Sequence, residues 1–292
     1  MRSARSPWPL VALAAALVIA GAAAVVVTQR GDGKPGTGTG STAAGSLPST
    51  PDYHSLLVAP KDPKSLLLGT HQGLHRSADG GRTWSFEGLS GQDAMNLAQP
   101  STKVLWAAGH DVLAKSTDGG ATWQDVRPAG LPGLDVHGFA VHPRNQATLY
   151  AAMAGRGLYR SVDGGRSFSL LSSVVGPAVM ALAVLPGERI LAGDMQRGLL
   201  VGRAGKPWRR VLAEPVIGLA VSRARSGLVL ASAAGAFRST DGAETWKQTL
   251  ELAEGAGPVA WAPSEPDVAY LVGLDQVLYR TTDAGETWHP VS

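Results

Sequence analysis

The chain has 292 residues, 44% of them apolar and 17% charged, with 37 glycines, 19 prolines and no cysteine. Without cysteine it has no disulfide, no thiolate metal site, no cysteine nucleophile and no lipid-modified cysteine. The net charge of +3 belongs to Arg2, Arg5 and Arg30; beyond them 23 basic residues face 23 acidic ones, so there is no net basic surface for nucleic acid.

The first element expected is an apolar helix. Arg2 and Arg5 precede an uncharged run over residues 9–27, which at 1.5 Å per residue spans about 28 Å, close to the hydrocarbon thickness of a bilayer. Residues 1–30 therefore read as a single-pass membrane anchor that leaves the arginines in the cytoplasm and the rest of the chain outside it. The alternative is a cleaved signal peptide, with a cleavage site in the alanines around Gly21, which would make the protein secreted. Residues 31–52 follow as a linker rich in Gly, Ser, Thr and Pro, with a reach of about 25 Å over twenty residues.

From residue 53 to 292 the sequence repeats itself. The clearest unit is Ser77-Ala-Asp79-Gly-Gly81-Arg-Thr83-Trp84, which returns around Asp118, Gly120 and Trp123, and around Asp163, Gly165 and Phe168. Two further copies surround Asp241 and Trp246, and Asp283, Gly285 and Trp288. The aspartates are 39, 45, 78 and 42 residues apart. The gap of 78 is two periods, and a decayed copy lies inside it, with Gly205 and Trp208 kept and Arg203 where the aspartate would be. Six units of about 40 residues result, each with room for four short strands, which predicts an all-β, six-bladed propeller. In the first unit the strands are expected over 55–59, 65–69, 74–77 and 84–87.

The repeat resembles the Asp-box, or BNR, repeat of sialidases and related propellers. Its chemistry is structural: the carboxylate accepts backbone N–H groups across a tight turn, glycine supplies positive φ, and the aromatic ring packs. The sialidase machinery is not visible. Arg189-Ile190 is followed by Leu191 rather than proline, and neither an arginine triad nor a Tyr–Glu pair stands out.

Antiparallel order places a site. With strands A to D running from channel to rim, the D–A and B–C loops share one face and the Asp-box turns lie on the other. On the first face, His54 opens strand A of blade 1 and His137 opens that of blade 3. His71 and His110 close strand B of blades 1 and 2, and Met95 opens blade 2. Asp93 and Asp135 precede their strands, and Asp111, Arg156, Asp194 and Arg197 fall in loops of the same face. The segments Tyr53-His54-Ser-Leu, Gly69-Thr-His71-Gln-Gly-Leu74, Asp93-Ala-Met95-Asn, Gly109-His110-Asp and Asp135-Val-His137-Gly-Phe resemble a small bacterial Asp-box family, often membrane-anchored, that carries a glycosyl-hydrolase-like name.

Two readings of the histidines stand side by side. In one, His54, His71, His110 and His137 bind copper or zinc, with Met95 as a soft ligand favouring copper. In the other they hydrogen-bond loop backbone or a polar ligand. At the level of function, binding of a metal, glycan or protein at the channel mouth is the first expectation, with the chain a monomer. A glycoside hydrolase is the alternative, needing two carboxylates about 5–9.5 Å apart. An assembly factor resembling the photosystem-assembly propellers is another.

Overall fold

A computed structural model describes residues 47–50 and 52–292. The run over 9–27 and most of the linker lie outside the described residues. Among the described residues no helix is long and apolar enough to cross a membrane.

Six four-stranded antiparallel sheets follow one another along the chain, each in sequential strand order. Blade 1 comprises β1 (Ser55–Val58), β2 (Leu66–Thr70), β3 (Gly73–Ser77) and β4 (Ser85–Gly88). Blade 2 holds β5 (Asn96–Ala98), β6 (Leu105–Gly109), β7 (Val112–Ser116) and β8 (Gln124–Asp125). In blade 3 the strands are β9 (Val136–Val141), β10 (Leu149–Met153), β11 (Gly157–Ser161) and β12 (Ser169–Ser172). Blade 4 has β13 (Val179–Leu185), β14 (Arg189–Asp194), β15 (Gly198–Gly202) and β16 (Arg209–Leu212). Blade 5 is β17 (Gly218–Val221), β18 (Val229–Ala233), β19 (Gly235–Ser239) and β20 (Lys247–Glu251). Blade 6 ends the ring with β21 (Ala256–Trp261), β22 (Ala269–Gly273), β23 (Leu278–Thr281) and β24 (His289–Pro290). The expected all-β propeller is what the chain forms, and the strands expected in blade 1 match to within a residue at most ends.

The innermost strands meet in a circle, and β1 closes against β21. Among the described residues closure borrows no strand: residues 47–50 are not in a sheet, although Leu47 is buried in the seam between blades 6 and 1 and the Tyr53 hydroxyl donates to the Pro48 carbonyl at 2.8 Å. The second strand of every blade is buried along almost its whole length, whereas the outermost strands are mostly exposed. Apolar residues therefore line the blade-to-blade junctions, and the buried core is six clusters, one per junction. Strand A residues such as Leu57, Leu97, Ala140 and Leu219 face a central channel of about 490 Å³, with Arg144 and Arg223 at its A–B end.

The Asp boxes form the C–D turns. Asp79 Oδ1 accepts the backbone N–H groups of Arg82 (3.0 Å) and Thr83 (2.9 Å), and Oδ2 accepts the Thr83 hydroxyl at 2.6 Å. Ser77 donates to the same carboxylate and accepts the Gly81 N–H, so one serine and one aspartate satisfy the turn from both sides. Asp118, Asp163, Asp241 and Asp283 repeat the arrangement. Gly81 has a φ of +93°, and a Cβ there would lie 2.0 Å from Leu278 Cδ2 of the neighbouring blade. Glycine is thus required both by its backbone and by the seam it abuts. Trp84, Phe168 and Trp288 are buried, while in blade 4 the ring of Trp208 covers Gly202 without any carboxylate in the turn.

Candidate functional site

The opposite face carries the histidines. Three consecutive blades each bring a D–A loop to the channel mouth, and two of them add a B–C turn. Backbone bonds pin the two kinds of loop together: His54 N donates to Gly69 O, Ala94 N to Thr70 O and Ala154 N to Asp135 O, at 2.9–3.1 Å. Side chains finish the alignment across blades. Ser55 donates to the Ala94 carbonyl at 2.8 Å. Asn96 spans blades 2 and 3, giving its amide N–H to the His137 carbonyl and accepting the Phe139 N–H, both at 3.1 Å. Thr70 accepts the Gln72 N–H and donates to Gly73 O, shaping the turn that presents His71. In blade 2 the turn is only His110-Asp111, with Asp111 at a φ of +57°.

All four expected histidines converge, together with three carboxylates. His54 Nε2 lies 2.6 Å from His71 Nδ1 and 3.3 Å from Asp52 Oδ1, and Asp52 Oδ2 also contacts His71 Nδ1. Asp93 Oδ2 faces His71 Nε2 at 3.4 Å and His110 Nδ1 at 2.9 Å. His110 Nε2 lies 3.1 Å from His137 Nε2, and Asp135 Oδ1 stands 3.4 and 3.2 Å from those two nitrogens. The result is a row of three groups of potential metal ligands, Asp52–His54–His71, His71–Asp93–His110 and His110–Asp135–His137. Each is two imidazoles and one carboxylate.

The electrostatics of the row are uneven. The Asp93 side chain is 8% exposed, and neither of its oxygens has a hydrogen bond of good geometry. Burial works to raise the Asp52 carboxyl, but hydrogen bonds and charge from His54 and then His71 outweigh it and hold the group at about 2. Burial pushes the His137 imidazole below its ordinary value, and the nearby Asp135 offsets this only in part. That direction favours the uncharged ring, the form in which imidazole binds a metal.

Other residues singled out on this face are placed differently. Asp111 and Arg156 are exposed in their turns and outside the ligand groups. Asp194 is 1% exposed and is occupied within its own turn, accepting the N–H groups of Gln196 and Arg197 and the Arg197 guanidinium at 3.0 Å. Met95 is buried at the strand-A position that His54 and His137 hold in their blades. Asp52 was missed because it sits at the end of the linker composition. The signal for it was the repeated Asp-x-His, Asp52-Tyr53-His54 in blade 1 and Asp135-Val136-His137 in blade 3. The remaining histidines do other work: His75 packs edge-on against Phe86, and His142 Nδ1 accepts the N–H groups of Arg144 and Asn145.

The comparisons agree with this architecture. The family model for the BNR/Asp-box repeat matches residues 279–290, the last box and its flanking strand. No curated protein is similar in sequence. Among solved structures, the chain is similar to the Niastella koreensis GH74 enzyme at 17% identity and a TM-score of 0.53, over 82% of this chain and 47% of that one. It thus spans about half the length of that enzyme. It is also similar to YCF48 bound to D1 peptide, at 17% identity and a TM-score of 0.55 over 86% and 84% of the two chains. YCF48 from Cyanidioschyzon merolae is similar at 17% identity, with a TM-score of 0.50 and 85% of each chain covered. At these identities the likeness is one of fold.

Proposed function

We propose that this Asp-box propeller is a metal-binding protein of the extracytoplasmic side, tethered to the membrane through residues 9–27 and taking zinc or copper at the mouth of blades 1–3. The observation that carries the reading is the convergence of four imidazoles and three carboxylates from three separate blades. Imidazole with carboxylate suits divalent zinc and copper. A buried carboxylate such as Asp93, without well-formed hydrogen bonds, is costly unless paired, and a cation among its imidazoles would lower that cost. Two other acidic groups of this rim are used within their own turns, Asp194 by Arg197 and Asp275 by the Tyr279 hydroxyl at 2.6 Å. The histidine row is where imidazoles and carboxylates from separate blades come together. The tethering part of the reading is supported by the apolar run and the linker composition.

The test is elemental analysis of the purified full-length chain by plasma mass spectrometry after titration with zinc and copper and removal of excess. Stoichiometric metal, lost when His71→Ala and His110→Ala are combined, is the expected result. A folded wild-type chain that retains no metal above background overturns the reading.

A further inference from the structure

We infer that the row holds two metal ions, one in each outer ligand group, and that Asp93 serves both as the shared acceptor of their imidazole N–H groups; this rests on the metal-binding reading above. The argument begins with the two histidines that each belong to two groups. His71 turns Nδ1 toward Asp52 and His54 and Nε2 toward Asp93. His110 turns Nδ1 toward Asp93 and Nε2 toward Asp135 and His137. A neutral imidazole has one lone pair, and its other nitrogen carries a proton. Each ring can therefore ligate in one group only. Either the two outer groups are filled, or the central one is.

Burial and distance decide between them. In the outer arrangement, His71 Nε2–H and His110 Nδ1–H both donate to Asp93 Oδ2, at 3.4 and 2.9 Å. That supplies a carboxylate only 8% exposed with the two donors it otherwise lacks. A carboxylate behind a ligating histidine fixes its tautomer and raises its basicity. The carboxylates left as ligands, Asp52 and Asp135, are then the more exposed ones, at 27% and 54%. The central arrangement reverses this, spending the buried carboxylate on the ion and the exposed ones on proton acceptance. The outer nitrogen pairs are also the close ones, at 2.6 and 3.1 Å. Neighbouring ligands of a tetrahedral zinc stand about 3.3 Å apart, so each pair needs only a small opening.

Native mass spectrometry of the full-length chain titrated with zinc, backed by the visible absorbance of cobalt as a probe, tests the count. Two ions per chain are expected. His54→Gln and His137→Gln should each leave one ion and about half the cobalt absorbance, at opposite ends of the row. Asp93→Asn should keep two ions while weakening both by about 10–100-fold, as loss of a ligand-orienting partner does. Thermal melting of each variant checks that it is folded. A single ion per chain that Asp93→Asn removes, and that both His54→Gln and His137→Gln leave in place, would assign the central group; the two-ion inference then falls while metal binding stands. No ion at all in the folded wild type overturns both.

Discussion

Gly109→Ala should damage the site through a backbone contact rather than through any ligand. Gly109 ends β6, immediately before His110. A Cβ there would stand 2.0 Å from the Asp93 carbonyl oxygen, 3.0 Å from its carbon and 3.2 Å from Met95 N. The obstacle is main chain and cannot rotate away. Gly109 is not among the residues of positive φ, so the cost is overlap alone. Real Cβ atoms essentially never approach within 3.0 Å, which requires the Asp93 carbonyl to recede by about 1 Å. Overpacking of this kind costs about 1–3 kcal/mol, and a domain of this size loses about 2–4 °C of melting temperature per kcal/mol. The melting point should fall by about 2–12 °C. The effect on binding should be clearer, because ligand constellations tolerate only about 0.5 Å of misplacement. Asp93 would leave its 2.9 Å contact with His110, and zinc affinity by isothermal titration calorimetry should fall about tenfold or more. Gly133→Ala, with nothing within 4 Å of its Cβ and no positive φ, is the control that should change neither. A Gly109→Ala chain binding zinc like the wild type would show that this close approach does not align the row.

Asp194→Ala separates a structural carboxylate from a functional one. Breaking its pair with Arg197 should cost about 2–3 kcal/mol, below the range for fully buried pairs because the arginine side chain is 40% exposed, with zinc stoichiometry unchanged. Gly81→Ala should destabilise more than Gly155→Ala when both are measured by urea denaturation. Both have positive φ, costing about 1–2 kcal/mol, but only the first meets a neighbour, at 2.0 Å, while the second faces open space. Acid unfolding should be steep between about pH 4 and pH 2. Burial works to raise the carboxyls of Asp79 and Asp283, but hydrogen bonds from Thr83 and Thr287 win and hold both at about 2; at Asp118 the bonds from Thr122 do the same directly. With folded values depressed, their stabilisation is present above the ordinary carboxylate range and is lost as pH falls through the folded values. Circular dichroism across that range is the measurement, and an unfolding midpoint above pH 5 would remove the boxes as the cause.

The propeller was legible because its information is local and repeated. Each Asp box carries its own donors and acceptors within seven residues, so five spaced copies, with a double gap for the decayed one, state the number of blades without any long-range contact. The face of the site was legible for a related reason: strand alternation sends His54, His71, His110 and His137 to one rim whatever the blade angles are. The pairing inside that rim was not. Asp194 and Asp93 both stand in face loops in sequence, yet one closes on an arginine three residues away and the other is buried among imidazoles from two blades. That difference depends on turn geometry and on the inter-blade approach permitted by Gly69 and Gly109. Asp52 shows the opposite failure, a short repeat hidden by the composition around it.

The histidine row also lies where the propeller has least apolar seam. Between blades 1 and 2 the buried cluster is Leu67, Leu74, Ala94 and Leu105, whereas the junction of blades 2 and 3 buries ten such residues, including Trp106, Phe139 and Phe168. Burial is worth about 25 cal/mol per Å² of apolar surface, so the first junction has less to hold it. The polar ties across it, Ser55 to Ala94 and the contacts of His71 with Asp93, occupy the same edge as the proposed ions. In the two-ion arrangement Asp93, accepting from the His71 and His110 rings that the outer ions orient, would tie blade 1 to blade 2, and the ion among His110, Asp135 and His137 would tie blade 2 to blade 3. Each zinc ion at 100 times its dissociation constant stabilises the folded state by about 2.7 kcal/mol, or about 5–11 °C in melting temperature per ion. If the ions act as this clamp, hydrogen exchange should slow in β1, β2, β5 and β6 on adding zinc and stay unchanged in β17 to β20. Uniform slowing around the ring would mean that the first junction is not the weak one.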